Sequence, residues 1–186
     1  MAAKTRAPRN RTIDLSSDES DKYLSHITRD HFSNCQNKII CRDAFETLGK
    51  LPKGEFDLLF ADPPYNLNKD FGGRRFNQTS SEEYEVWLDS WLRLCVPPLK
   101  KTASVYICGD WRSGTAIERA ASRYFKLQNR ITWEREKGRG AKANWKNSSE
   151  DIWFFTVSDD YTFNLDAVKQ RRRVIAPYRE NGEPKD

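Results

Sequence analysis

Residues 58–73 read LLFADPPYNLNKDFGG, an apolar run that drives straight into an acid, two prolines and a tyrosine. The run begins earlier, as FDLLFAD over residues 56–62, and it does not alternate between apolar and polar positions. Such a segment reads as a strand buried on both faces. Pro63 and Pro64 fix φ and remove two backbone donors, so the chain turns there and presents carbonyl groups. Beyond Tyr65 a polar, glycine-containing loop runs through Ser80.

The segments on either side give this turn its setting. Upstream, KIICRDAF reads as a short strand, AFETLGKL as a helix and PKGE as a turn. Downstream, TSSEEYEVWLDSWLRLCV reads as a helix capped by Ser80 or Ser81, with Glu82 and Glu83 in its first turn. Val86, Trp87, Leu88, Trp91, Leu94 and Cys95 supply its apolar face, and Pro97 and Pro98 end it. ASVYICGD is a third strand, WRSGTAIERAASRYF a helix, NRITWER a fourth strand and DIWFFTV a fifth. Residues 137–149 read as a basic loop between the last two.

Strands alternating with helices predict a parallel α/β sheet with right-handed crossovers. In such sheets ligands bind at the carboxyl ends of the strands. Asp62 to Tyr65 lies just past one such end, Asp43 past another and Gly109-Asp110 past a third. The predicted organisation is a polar leader over 1–37, disordered or loosely docked, with SHITRDHF as a short helix inside it, then an α/β core over 38–157 and a further region over 158–186 that stops abruptly.

Bulk properties narrow the function classes. No apolar run reaches membrane-spanning length and the N-terminus has no apolar signal core, so a cytoplasmic protein without membrane contact is expected. The net charge of +5 points to an anionic partner, nucleic acid first. The four cysteines form no CxxC pair and only His26 and His31 could join them, so no metal site is expected. Cys41, Cys95 and Cys108 read as small core residues carrying reduced thiols. Both histidines fall in the leader, which argues against histidine-based catalysis.

The residue types of the turn suggest a chemistry. An aspartate beside a free carbonyl makes a site of acceptors, suited to an amino group with two N–H to give. Tyr65 adds a flat face on which a planar ring can stack. The alternative is a plain cap and turn, since Asp-Pro turns are common.

DPPYN after an apolar strand resembles the catalytic motif of β-class DNA amino-methyltransferases, which act on adenine N6 or cytosine N4 using S-adenosylmethionine. The likeness extends over roughly residues 38–178: IICRDAFETLGKLPKGEFDLLFADPPYNL is similar to the opening of that class, and SVYICGD, ITWEREKGRG and EDIWFF follow in its order. YTFNLDAV followed by APYRENG is similar to the start of the target-recognition region in MboII-like adenine methyltransferases. The resemblance implies a Rossmann-like S-adenosylmethionine-dependent methyltransferase fold of the α/β class. It implies that Asp62 and the Pro63 carbonyl hold the amine, that Pro64 shapes the turn, and that Tyr65 stacks on a base flipped out of duplex DNA. Asp43 and Ala44 match the place that meets the adenine end of the cofactor, with Asp62 and Pro63 at its reacting end; a strand-end turn is the other reading of Asp43. It also implies a restriction–modification setting, with double-stranded DNA, a cognate endonuclease and a homodimer as partners.

Trp133, at a strand end, is a candidate for lining the base pocket. Lys137, Arg139, Lys142 and Lys146 suit phosphate contacts, as does KQRRR over residues 169–173, unless these are solvated charge. GRGAKA mimics a dinucleotide fingerprint but opens no apolar helix, so a nicotinamide role is rejected. Trp87 and Trp91 read as core by their spacing. The sequence also departs from the family: the Gly-rich F-x-G-x-G or GSGTT turn of the C-terminal third does not occur. The expectation is therefore a fold incomplete at the C-terminus, poor cofactor binding and a chain that is nearly inactive alone. Cytosine-N4 methylation, RNA methylation and an inactive nucleic-acid-binding remnant stand as alternatives to adenine-N6 methylation.

Overall fold

The structure is a computed structural model that describes residues 15–28, 32, 35–71, 74–139, 143, 145, 147–170 and 179–184. In the leader, α1 (Ser17–Leu24) is held by a capping box between Ser16 and Glu19 and buries no residue. The segment expected to be a short helix instead begins with β1 (Ile27–Thr28), which pairs in parallel with β2 (Ile39–Ile40), while residues 29–31 lie outside the described part. Two adjacent β-branched positions favour the extended state over the helix there. Next come α2 (Ala44–Leu48), β3 (Phe56–Ala61) and an antiparallel pair, β4 (Lys69–Phe71) and β5 (Arg74–Phe76). The body of the fold is α3 (Ser81–Cys95), β6 (Leu99–Gly109), α4 (Gly114–Ala121), β7 (Lys126–Arg139) and β8 (Asn147–Thr156). A short α5 (Leu165–Val168) and the hairpin β9 (Arg179–Glu180) with β10 (Glu183–Pro184) follow.

The main sheet has four strands in the order β3-β6-β8-β7. Only β3 and β6 pair in parallel, whereas β8 runs against the other three strands and is antiparallel to both its neighbours, so the sheet is mixed rather than wholly parallel. The cause is the length of the last connection. β7 extends to Arg139 and β8 starts at Asn147, so both ends of the basic loop expected over 137–149 belong to the arms of a β-hairpin. A link this short cannot carry the dozen or more residues of a parallel crossover. β8 therefore folds back between β6 and β7, and its N-terminal half comes to lie at the carboxyl ends of β3 and β6. Gly109 pairs with Asp151, and Trp133 pairs with Glu150.

One face of this sheet carries the core. Val105, Ile107 and Phe155 are fully buried there, against Leu88 and Leu92 of α3 and Ile117, Ala120 and Ala121 of α4. On α3 the buried positions 84, 88, 91, 92 and 95 fall on one stripe at helical spacing, with the Ser80–Glu83 capping box fixing its start. Val86 lies off that stripe and is exposed, contrary to expectation, while Trp87 is half-buried beside it. Gly109 has a packing reason: a Cβ there would run into the fully buried side chain of Ile117.

The opposite face is open, which corrects the expectation that β3 is buried on both sides. Leu58 and Phe60 are 56% and 58% exposed. An aromatic row crosses this face, with Phe60 stacked toward Tyr106 at 6.3 Å and Tyr106 on Phe154 at 4.7 Å. The strand lacks alternation because both its faces are apolar, yet the described helices α3 and α4 cover only one. Among the cysteines, all four free, Cys95 is buried, Cys108 and Cys35 half-buried, and Cys41 exposed rather than in the core. Cys41 directly follows the two-residue β2, which pairs with β1 and not with the main sheet. Among the described residues no helix is long and apolar enough to cross a membrane, and no group of three or more metal-ligating side chains assembles.

Candidate active site

The carboxyl end of β3 opens into a cavity of about 390 Å³ lined by Asp62, Pro63, Pro64, Tyr65, Leu67, Lys69, Phe76 and Glu150. The four residues of the DPPY motif thus line one space, as the sequence implied. Glu150 joins them from β8, because the antiparallel return places the start of that strand beside the end of β3. Its carboxylate is ion-paired with Arg135 of β7.

The turn is held by bonds that consume two of its carbonyls. The buried Tyr84 of α3 donates its hydroxyl to the Pro64 carbonyl at 3.0 Å. The Leu67 amide donates to the Tyr65 carbonyl at 2.6 Å. Among the described residues nothing bonds to the Pro63 carbonyl, which stays available next to the Asp62 carboxylate. Asn66 then ties the loop to the start of α3, donating from Nδ2 to the Thr79 carbonyl and accepting from the Thr79 amide at 2.9 and 2.8 Å. Asn68 Oδ1 accepts from the Gln78 amide at 2.9 Å, closing the base of the β4–β5 hairpin. Tyr84 is itself supported by Trp87, whose ring stacks on it at 5.5 Å.

The cavity wall carries the carboxylates of Asp62 and Glu150, the latter paired with Arg135, and also Lys69. Burial, followed by the charge of Asp62 and then that of Glu150, holds the Tyr65 phenol far above its ordinary range, helped by a hydrogen bond to Asp62. Tyr65 is therefore a neutral donor and an aromatic wall. Burial, Asp62 and Glu150 likewise push the Cys108 thiol up, so it stays protonated and is no nucleophile near neutral pH. Burial and the Asp110 charge raise Tyr84 too, opposed by Ser113. What the arrangement offers is hydrogen-bond acceptors, Asp62, Glu150 and the Pro63 carbonyl, around an aromatic floor.

The sequence model of the N6/N4 methyltransferases, described as DNA methylase, matches residues 56–181, well over half of the chain. The chain belongs to this DNA methylase family. It is 33% identical over 158 residues to the DNA adenine methyltransferase YhdJ of Escherichia coli, covering 81% of this chain and 53% of that protein. It is 31% identical over 136 residues to the type II methyltransferase M1.MboII of Moraxella bovis, covering 72% of this chain and 51% of that one. The chain thus spans about half the length of these relatives. Among solved structures, the PvuII cytosine-N4-specific DNA methyltransferase superposes with a TM-score of 0.56 at 16% identity, covering 78% of this chain and 59% of the other. That likeness places the fold among the Rossmann-like methyltransferases.

Within this DNA methylase fold the other expected site residues fall in different places. Asp43 caps α2, its Oδ1 accepting from the Phe45 and Glu46 amides at 2.9 and 3.3 Å. Neither it nor Ala44 lines the cavity. Trp133 is 63% exposed on β7, directly across from Glu150, and flanks the cavity without lining it. Lys137 and Arg139 belong to β7 by their backbone, with their side chains outside the described part; Lys142 and Lys146 lie outside the described residues, as do residues 171–173 of the second basic run. Sequence reasoning missed Glu150 and Tyr84. Glu150 carried a usable signal, an acid opening an apolar strand; Tyr84 carried none, since it acts on a carbonyl twenty residues away.

Proposed function

We propose that this protein methylates the exocyclic amine of adenine, at N6, in duplex DNA, with S-adenosylmethionine as methyl donor. The observation that carries this is the pairing of the Asp62 carboxylate with the open Pro63 carbonyl in a cavity walled by Tyr65. The amine lone pair is delocalised into the ring; two acceptors on its two N–H groups draw the nitrogen toward sp³ and localise that pair for attack. The base reaches the site only by leaving the duplex, which costs a few kcal/mol, and stacking on Tyr65 returns about 1–3 kcal/mol. Asp62 takes the proton that the nitrogen sheds once methylated. The chain's contribution is positioning and electrostatics.

The donor supplies an electrophilic methyl on a sulfonium. The two carboxylates and the Tyr65 and Phe76 rings suit that cationic centre. The cavity, of about 390 Å³, has room for one base and the reacting end of the donor. A relative named as a DNA adenine methyltransferase supports the choice of adenine, and one named as a type II methyltransferase supports a restriction–modification setting. The test is Asp62→Asn, which replaces an acceptor oxygen by a donor. Removing one such preorganised group costs about 10²–10³ in rate. Transfer of labelled methyl should fall by that much with duplex affinity held within twofold; an unchanged rate would end the assignment.

A further inference from the structure

Beside the catalytic turn lies a second cavity, of about 150 Å³, that the methylation chemistry does not use. Asn66 and Tyr84, which hold the turn, form one side of it. The first turns of two helices face it, through Ser81 of α3 and through Ser113 and Ala116 of α4. The two helix starts differ. That of α3 is closed by its capping box, while Ser113 at the start of α4 makes no side-chain cap.

Ser113 is 3% exposed, and its hydroxyl has no hydrogen-bond partner. The Tyr84 hydroxyl, also on the wall of this cavity, gives its proton to Pro64, and its contact with Ser113 falls short of hydrogen-bonding geometry. A buried hydroxyl left unpaired is costly, and this one lines a cavity at an uncapped helix start, where backbone N–H groups and the helix dipole favour an anion. Arg112 adds a full positive charge at the rim, its guanidinium stacked over Trp111 at 5.1 Å. Of the nearby acids, Asp110 accepts from the Ser113 amide and Glu83 from the Ser80 amide, while Glu82 is exposed. The space fits one tetrahedral anion and is too small for a nucleoside.

We propose that this cavity is a phosphate subsite, in which Arg112, the Ser113 hydroxyl and the free amides at the start of α4 bind a backbone phosphodiester of the DNA strand whose base enters the larger cavity. The DNA half of this statement rests on the methylation reading above; the anion half rests on the geometry alone. A phosphate anchored here fixes the sugar–phosphate chain next to Asn66, one residue beyond Tyr65, and so holds the extruded nucleotide against the turn.

The test uses the full chain. Thermal unfolding is followed in inorganic phosphate against chloride at equal ionic strength. A saturable, phosphate-specific rise in the midpoint is expected, lost in Arg112→Ala and Arg112→Gln, reduced in Ser113→Ala and kept in Asp62→Asn. For duplex DNA, Arg112→Ala should weaken binding severalfold and make the slope of log K against log salt shallower by about 1. No phosphate-specific effect in the unmodified chain, or Arg112 variants that respond as it does, would overturn the site. An Arg112-dependent phosphate effect with unchanged DNA binding would overturn its assignment to DNA. Absence of methyl transfer alongside Arg112-dependent phosphate and DNA binding would end the methylation reading and leave the subsite standing.

Discussion

Tyr84→Phe removes one hydroxyl and nothing else. The ring stays stacked on Trp87 at 5.5 Å and stays buried, so no cavity opens. What is lost is the 3.0 Å bond to the Pro64 carbonyl. A neutral hydrogen bond contributes about 1 kcal/mol net, and a deprived buried acceptor costs about 1–3 kcal/mol. Pro64 is only half-buried, so water takes over part of the bonding and the lower end applies, about 1–1.5 kcal/mol. For a chain of this size that lowers the melting midpoint by roughly 2–6 °C. The loss is local to the turn, so the Leu67 amide, which closes it onto Tyr65, should exchange with solvent deuterium about five to ten times faster. Tyr84→Ala, which also removes the ring, should cost about 3–5 kcal/mol as other buried aromatics do. Scanning calorimetry and hydrogen exchange resolved over residues 62–68 measure all three. A midpoint within 1 °C of the unmodified chain together with unchanged exchange would refute the view that α3 holds the catalytic turn through this bond.

Leu88→Ala, at a fully buried position of α3, should destabilise by about 2–5 kcal/mol in urea unfolding. Cys108 should react with iodoacetamide along a pH profile displaced upward from that of an ordinary thiol. Asp62→Asn removes a negative charge that disfavours the thiolate, so the Cys108 profile should move down in pH; an unmoved profile would separate the two groups.

The strand and its turn were legible because an apolar run meeting two prolines leaves the backbone little choice. Helix α3 was legible for a similar reason, a capping serine followed by apolar positions at helical spacing. The direction of β8 was not read, because apolar content is the same for either direction; the information lay in the short link after Arg139, hidden by composition that looked like loop. Glu150 went unrecognised for that reason, since only the antiparallel return carries it to the end of β3. Asp43 shows the converse. An acid at a strand end reads equally as a ligand or as a helix cap, and here the Phe45 and Glu46 amides take its Oδ1. The open face of β3 escaped notice because a strand with apolar residues on both sides records what it can bury, not what covers it.

The most direct test supplies the chain with saturating S-adenosylmethionine labelled in its methyl group and with duplex DNA, then digests the DNA to nucleosides and separates them. The account predicts label in N6-methyladenine, above the level given by Asp62→Asn. Label in N4-methylcytosine would contradict the choice of base, and duplex binding with no label above Asp62→Asn would contradict catalysis itself.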